Sequence, residues 1–197
     1  MVCHAGASLA GATMRRANRT MCAVLVLERA EFARSRGARP YGVLAGAGVT
    51  SGGRHITASD STGQARAIRT ALRAGGLAPA DVGLVHAHAT STPQGDAAEA
   101  DAIAEAVGGH PAVTATKSMT GHLLGASGAL GALATVLALR TGTAPATRNL
   151  DRLDPAIDLD VVSGAPRRGA WTAAVANSFG FGGHNVSLAF TAVGSGS

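Results

Sequence analysis

Aromatic residues, cysteine and lysine are all scarce in this chain. Only 3% of its 197 residues are aromatic, two are cysteines (Cys3 and Cys22), and one, Lys117, is a lysine. Two cysteines provide neither a disulfide framework nor a metal-binding spacing, so the sequence favours a reducing compartment and no metal site. Alanine, valine, leucine and glycine must do most of the packing, and 27 glycines predict tight turns and close backbone approaches.

A long uninterrupted hydrophobic run is also missing. The most apolar stretch, residues 123–139, contains three glycines, a serine and a threonine, and it is at the short limit for a membrane-spanning helix. We interpret it as a helix buried in a soluble core. The pair Arg15 and Arg16 follows the mildly apolar start instead of preceding it, which is not the order of a signal peptide. We therefore expect a cytoplasmic protein without a membrane partner.

Positive charge exceeds negative charge, but it does not form a binding face. The formal net charge is +5, yet the 16 arginines are spread along the chain and the densest group lies within residues 15–19. This distribution does not favour a nucleic-acid partner. A length of 197 residues is typical of one domain or of a fragment of a larger one.

Hydrophobic periodicity predicts strands that alternate with helices, which is typical of an α/β fold. The predicted strands are 21–28, 41–51, 83–89, 112–117, 172–179 and 184–190, the first of them buried. The predicted helices are 29–37, 64–74, 93–109 and 120–140. Residues 1–20 show no clean period and are predicted to be irregular. Glycines at alternate positions of strand 41–51 indicate twist or the close approach of another backbone.

Three polar loops lie at ends of predicted strands, where α/β sheets bind ligands. The first is HAHATSTPQGD, residues 86–96. His86 and His88 share a strand and are expected on one face of it, with Thr90 and Thr92 continuing the alternation. The segment fits a hydrogen-bonded strand end that leads into a capped helix. It also fits an acid–base or hydrogen-bond donor site.

The second loop is TKSMTGHLLGA, residues 116–126, in which Lys117 is predicted to close a strand and His122 to begin the long helix. A helix N-terminus lowers the pKa of a nearby histidine, so His122 is expected to be neutral. Lys117 is either a surface charge or part of a buried hydrogen-bond network. A surface charge could equally be an arginine, which this chain uses 16 times. A compact ammonium suits a buried network better than a guanidinium does, which favours the second alternative.

The third loop is NSFGFGGHN, residues 177–185, which places two phenylalanines among glycines. It fits either a mobile apolar hinge over a pocket or an ordinary glycine-rich hairpin. It does not match a nucleotide-binding loop, because its glycine spacing differs and a strand follows it.

Together and in this order, the three loops resemble the C-terminal half of the β-ketoacyl-acyl-carrier-protein synthases. The likeness is greatest to the type II elongating condensing enzymes, with polyketide ketosynthases as close relatives, and it covers about residues 23–190. It implies a thiolase-like α/β fold, here the C-terminal half plus the last two strands of the N-terminal half. We expect an irregular leader (1–20), a remnant of the N-terminal half (21–52), the C-terminal ketosynthase domain (53–192) and a flexible tail (193–197).

The resemblance also implies roles for individual residues. His88 and His122 match the two histidines that hydrogen-bond the malonyl thioester oxygen, and Lys117 matches the lysine that organises them. Phe181 matches the gating phenylalanine, whose backbone N–H also helps to form an oxyanion hole. The remaining matches are Thr90 and Thr92 for the phosphopantetheine arm, Phe179 beside the gate, Glu99 near the lysine, and Asn177 and Gly182 as supporting residues.

The family nucleophile is a cysteine in an upstream small-residue motif, which does not occur in this chain. Cys3 has no family context, and Cys22 falls in a predicted buried strand, where a thiol acts as a small hydrophobe.

We therefore expect a truncated acyltransferase for decarboxylative condensation of malonyl- with acyl-carrier protein in fatty-acid or polyketide synthesis. The alternative is an inactive half-enzyme, either a partner subunit or a degenerate gene product. The implied partners are acyl carrier protein and a second copy in a homodimer. No bound cofactor is expected, since the substrate is carried on phosphopantetheine.

Overall fold

The computed structural model describes residues 1–5, 22–52 and 60–194. Its strands are β1 (Val2–Ala5), β2 (Leu25–Glu28), β3 (Gly42–Ser51), β4 (Val82–His86), β5 (Ala112–Thr114), β6 (Thr143–Ala144), β7 (Asp160–Val161), β8 (Arg167–Arg168), β9 (Ala173–Phe179) and β10 (His184–Thr191). Its α-helices are α1 (Ala30–Ser35), α2 (Ser61–Ala74), α3 (Pro93–Ala106), α4 (Lys117–Thr120) and α5 (Ala126–Thr141). Two short 3-10 turns span Pro79–Asp81 and Phe181–Gly183.

One mixed sheet organises the molecule. Its eight strands run in the order β2-β1-β3-β10-β9-β4-β5-β7, and β6 pairs with β8 in a separate two-stranded sheet. Strand β4 is parallel to both β5 and β9, and β5 is parallel to β7. Strand β10 is antiparallel to both β9 and β3. The parallel strands therefore bring the carboxyl ends of β4, β5 and β9 to one edge of the sheet.

Helices cover both faces of this sheet. Helices α2 and α3 pack on one face, around a core that includes Ile68, Leu72, Val85, Ile103 and Val175. Helix α5 packs on the other face, around Leu84, Val136, Leu139, Ala174 and Phe190. The α/β class and a layered arrangement follow from this packing, as the strand and helix periods predict.

The glycines of β3 let α2 lie directly against the sheet. A Cβ atom on Gly48 would be 2.0 Å from the carbonyl oxygen of Ala67, and one on Gly46 would be 2.2 Å from that of Ala71. Real Cβ atoms do not approach backbone so closely, so only glycine fits at these two positions. The close approach predicted from alternate glycines is therefore confirmed.

The structure corrects several expectations near the N-terminus. Residues 2–5 form strand β1 between β2 and β3, and they are not irregular, while residues 6–20 lie outside the described part. Strand β2 is shorter than predicted and is an edge strand, so Val26 and Leu27 are exposed and not buried. Cys22 is also exposed, and it precedes the strand.

Strand β3 pairs along almost its whole length with β10, which places residues on both sides of the expected boundary at 52/53 in one sheet. The division into 21–52 and 53–192 stays a prediction. In the expected tail, residues 193 and 194 have no regular structure and residues 195–197 lie outside the described part.

We expect Gly48→Ala to destabilise the chain by about 3 kcal/mol or more, because the added methyl group meets the backbone of α2, which cannot move aside without shifting the helix. Urea unfolding followed by circular dichroism measures this change. Gly109→Ala is the matched control, since the nearest atom to its new Cβ is 3.9 Å away. Equal stability of the two variants would contradict the packing described for β3 and α2.

Candidate active site

The loop after β4 carries His88 and is held by a buried carboxylate. Both backbone N–H groups at His88 and Ala89 donate to Glu99, one to each carboxylate oxygen, at 2.8 Å. Glu99 lies on α3 and is 3% exposed. Ala89 has a φ of 32°, a left-handed backbone that costs energy in a residue other than glycine. The two hydrogen bonds to Glu99 therefore fix a strained loop.

Glu99 is itself held from the sheet side. The amide nitrogen of Asn177 on β9 donates to Glu99 at 3.1 Å, and the hydroxyl group of Ser187 on β10 donates to the amide oxygen of Asn177 at 2.9 Å. Burial raises the pKa of Glu99, while these N–H groups and Lys117 act in the opposite direction. This chain of bonds links the predicted supporting residues Glu99 and Asn177 to Ser187, which the sequence analysis missed. The only signal for Ser187 is its place between two apolar residues, Val186 and Leu188, in strand β10.

Lys117 contacts His88 from the neighbouring strand end. Its Nζ atom lies 3.3 Å from Nδ1 of His88 and also donates to the backbone oxygen of His88. Burial lowers the pKa of Lys117, and the carboxylates of Glu99 and Asp96 raise it. Lys117 is therefore part of a half-buried hydrogen-bond network. It begins the short helix α4 and does not close β5, which ends at Thr114.

His122 lies in the loop between α4 and α5, not at the start of one long helix. The predicted helix 120–140 is broken because Gly121 adopts a φ of 70°, and α5 begins only at Ala126. Nδ1 of His122 accepts the backbone N–H of Leu124 at 3.0 Å and lies 3.1 Å from the hydroxyl of Ser127. Burial, followed by the charge of Lys117, lowers the pKa of His122. The neutral state was predicted, but its main cause is not a helix N-terminus.

The two imidazoles face each other edge to face. Their ring centroids are 5.6 Å apart, with an interplanar angle of 85°. Burial and the charge of Lys117 lower the pKa of His88 to about 3, so the ring is neutral at pH 7. Nδ1 of each ring accepts a hydrogen bond, from Lys117 in His88 and from Leu124 in His122. The proton of each neutral ring is therefore on Nε2, which makes both rings donors through that atom.

The remaining predicted residues differ in burial and in their contacts. The ring of Phe179 is 6.1 Å from that of His88, and the side chain is buried. Phe181, in contrast, is 78% exposed and starts the 3-10 turn in which Gly182 has a φ of 75°. The hydroxyls of Thr90 and Thr92 are 3.2 Å apart in the loop before α3. His86 ends β4 and is buried, so it does not continue to His88 along one regular strand.

Both cysteines lie at the β2–β1 end of the sheet, several strands away from β4 and β5. Cys3 is fully buried in β1, and burial raises its pKa. Cys22 is exposed ahead of the edge strand β2. In residues 1–5, 22–52 and 60–194 there is no group of three histidine, cysteine or acidic side chains that could hold a metal ion. Over the same ranges no helix is both long and apolar enough to cross a bilayer.

Acid should destabilise the chain through His86. Burial, followed by the charge of Lys117, lowers the pKa of this ring to about 4, whereas the unfolded residue titrates near its ordinary value of 6.5. Below pH 6.5 the unfolded state binds the proton first, so stability falls as the pH decreases towards 4. Between pH 7.5 and pH 5 this one group should remove about 2 kcal/mol of unfolding free energy. His88, whose pKa is also lowered, adds to the loss in the native sequence, so urea titrations should show a loss in His86→Gln that is smaller than the native loss by about 2 kcal/mol.

Removing the charge of Lys117 should raise the pKa of both neighbouring histidines. Lys117 is the largest cause after burial of the lowered pKa of both His88 and His122, so Lys117→Met should raise both values. An NMR titration of the imidazole signals measures the shift. Arg140→Met is the control, because Arg140 lies over the ring of Tyr41 at the other end of α5. Unchanged histidine values in Lys117→Met would show that the contact in the structure is wrong.

Comparison with known proteins places this geometry in a family. The family described as beta-ketoacyl synthase, C-terminal domain, matches residues 41–151. The 3-oxoacyl-[acyl-carrier-protein] synthase 2 of Mycobacterium tuberculosis is 52% identical over 171 residues, which cover 85% of this chain and 41% of the relative. The protein of the same name from Synechocystis is 49% identical, with 85% and 41% covered. The chain therefore spans about two fifths of the length of these curated relatives.

Solved structures give the same result. A ketosynthase/chain length factor for ishigamide superposes with a TM-score of 0.86 and 37% identity, covering 88% of this chain and 43% of that one. A beta-ketoacyl synthase from Burkholderia phymatum gives 0.83 and 39%, covering 86% and 42%. A ketosynthase solved in complex with its type II acyl-carrier protein gives 0.83 and 32%, covering 86% and 43%. The fold expected from the three loop motifs is confirmed, and the chain belongs to the beta-ketoacyl synthase family, whose C-terminal domain it carries.

Proposed function

We propose that this chain supplies the part of a β-ketoacyl-acyl-carrier-protein synthase site that decarboxylates a malonyl thioester. The substrate would be carried on the phosphopantetheine arm of an acyl carrier protein, in fatty-acid or polyketide synthesis. The observation that carries this proposal is the pair of neutral histidines, each with Nδ1 engaged and Nε2–H free to donate. Two such donors suit one thioester oxygen on which negative charge develops.

The chemical step needs no proton transfer from these rings. The bond between the malonyl α-carbon and its carboxylate breaks, carbon dioxide leaves, and the electron pair moves into the thioester as an enolate. Hydrogen bonds from His88 and His122 to the enolate oxygen would stabilise the charge, and they cost little reorganisation because both rings are already oriented. A neutral donor is suited to this task, since the pKa of His88 of about 3 keeps the ring uncharged.

Lys117 and Glu99 would act on this pair indirectly. Lys117 donates to Nδ1 of His88 and thereby selects the tautomer with the proton on Nε2. Glu99 holds the backbone on which His88 is presented. Loss of either residue would leave a histidine in place without its orientation, so both are proposed as positioning residues and not as reacting groups.

The outer residues are proposed to hold the carrier arm and to gate the site. Thr90 and Thr92 present hydroxyls beside the loop that carries His88, as contacts for phosphopantetheine. Phe181 is exposed next to Gly182, whose positive φ favours glycine. That combination suits a bulky lid on a flexible support, with its backbone N–H available to an oxyanion, while Phe179 packs below it.

Complete condensation needs a thiolate that first accepts the acyl group, and neither cysteine is proposed for that role. The thiol of Cys3 is buried with a raised pKa. We propose that the nucleophile is provided outside this chain, so the chain by itself does not condense acyl groups. The acyltransferase activity would then require a complementing upstream segment.

A partner subunit without activity of its own is the second candidate. The observation that favours it is the apolar surface around the edge strand β2, where Val24, Val26 and Leu27, together with Phe32 of α1, are exposed. Such a surface fits a protein interface, including one with a second copy of this chain. A degenerate gene product would expose the same apolar surface, but binding of a partner would give it no activity.

The first candidate predicts slow decarboxylation without condensation. Incubation of the chain with malonyl-carrier protein should release carbon dioxide and leave acetyl-carrier protein, once the enolate takes a proton from water. Release of radiolabelled carbon dioxide and the intact mass of the carrier protein measure the two products. His88→Ala and His122→Ala should each lower the rate by about 100-fold or more, because each removes one oxyanion donor. His110→Ala, which changes an exposed histidine after α3, should keep the rate.

When carrier protein loaded with an acyl group is added to the same mixture, we expect no β-ketoacyl product and no acyl adduct on Cys3 or Cys22. Product together with such an adduct would overturn the proposal that the nucleophile lies outside the chain. No carbon dioxide release above that of the double variant His88→Ala/His122→Ala would favour the inactive-subunit alternative.

A further inference from the structure

His86 is a buried histidine that the proposed mechanism does not use. It is 2% exposed at the end of β4, and one residue, Ala87, separates it from the loop residue that would contact substrate, His88. Its Nε2 atom lies 2.8 Å from the hydroxyl of Thr116. Nδ1 has no hydrogen-bond partner in the described part of the chain. A core filled for stability alone would favour an apolar side chain here, since burying imidazole costs free energy.

The hydrogen bond to Thr116 connects His86 to the segment that carries Lys117. Thr116 directly precedes Lys117, and its backbone oxygen accepts the N–H groups of Met119 and Thr120 within α4. Its hydroxyl is therefore a fixed point at the base of α4. A bond from β4 to this hydroxyl sets the spacing between the ends of β4 and β5, and so the spacing between His88 and Lys117.

The ring of His86 also sets the position of α5. A Cβ atom on Gly131 would be 3.0 Å from Cε1 and Nδ1 of His86, so the ring packs directly on the helix backbone. Gly131 lies one helical turn after Ser127, the residue whose hydroxyl contacts Nδ1 of His122. The same side chain therefore touches the helix that supports the second histidine of the site.

We propose that His86 is a positioning residue, which joins the three segments that carry His88, Lys117 and His122 through its bond to Thr116 and its packing on Gly131. Its consequence for decarboxylation rests on the function proposed above, but its effect on the three side chains does not. The ring remains neutral in this role, because a buried imidazolium beside Lys117 would repel the ammonium.

Lys117 gives a direct readout of this role. Because it is the only lysine, a chain labelled with ¹³C,¹⁵N-lysine gives one side-chain signal, and labelled histidine reports the imidazole of His88. Burial lowers the pKa of both groups, so loosening the segments should admit water and raise both values. We expect His86→Leu to raise the pKa of Lys117 and of His88 by about one unit each.

Two further variants separate positioning from simple filling of the core. His86→Gln places an amide near the former Nε2 atom and can bond Thr116, so both pKa values should stay within about 0.3 unit of the native values. Thr116→Val keeps the shape of the partner but removes its hydroxyl, so it should shift both values in the same direction as His86→Leu. His110→Gln is the control for a histidine change outside the site.

Unshifted Lys117 and His88 signals in folded His86→Leu would overturn the inference and leave His86 as a core residue. Where His86→Leu does not fold, Thr116→Val decides the question, and unshifted signals there would also overturn it.

The carbon dioxide assay separates the two proposals. Shifted signals in a chain that releases no carbon dioxide support positioning and contradict only the proposed function. A lower rate in His86→Leu with unshifted signals supports the function and contradicts positioning.

Discussion

The buried carboxylate of Glu99 is the charge on which the site depends. It is almost fully removed from water, and it accepts the backbone N–H groups of His88 and Ala89 and the amide of Asn177. A buried carboxylate without such donors would be strongly destabilising. Its negative charge also favours the ammonium of Lys117, whose pKa burial would otherwise lower further. One acidic side chain on α3 thus fixes a strained loop and supports the nearby cation.

Lys117 transmits this arrangement to the histidines. It donates to His88, and its charge lowers the pKa of both His88 and His122. Arginine could supply the charge, but its planar guanidinium would be difficult to place within reach of both a ring nitrogen and a backbone oxygen. The single lysine of the chain therefore lies where a compact donor is required. The outcome is a pair of neutral donors, which suits stabilisation of an oxyanion more than proton transfer.

The sheet places these groups together because it is parallel where the site lies. His88 and Lys117 follow the carboxyl ends of β4 and β5, and Phe179 ends β9 beside them. The antiparallel strands β10 and β3 extend the sheet away from the site and give α2 its packing surface through Gly46 and Gly48. The site therefore lies where helices cover both faces of the sheet, and one group of exposed apolar side chains, Val24, Val26 and Leu27, lies far from it, around the edge strand β2.

The sequence by itself determined the α/β class, the family and most elements of the C-terminal part. The class and the elements follow from local signals, such as the amphipathic period of α2, the proline that starts α3 and the apolar run of β9, while the family follows from the resemblance of the three loop motifs. Only the tertiary structure decided the break at Gly121, the exposure of Cys22 and the pairing of residues 2–5 with β2 and β3. It also decided the partners of Glu99 and His86, since Asn177 is 78 residues from Glu99 and Thr116 is 30 residues from His86. Local patterns report the period of one segment, whereas such contacts depend on which strands become neighbours when the sheet forms.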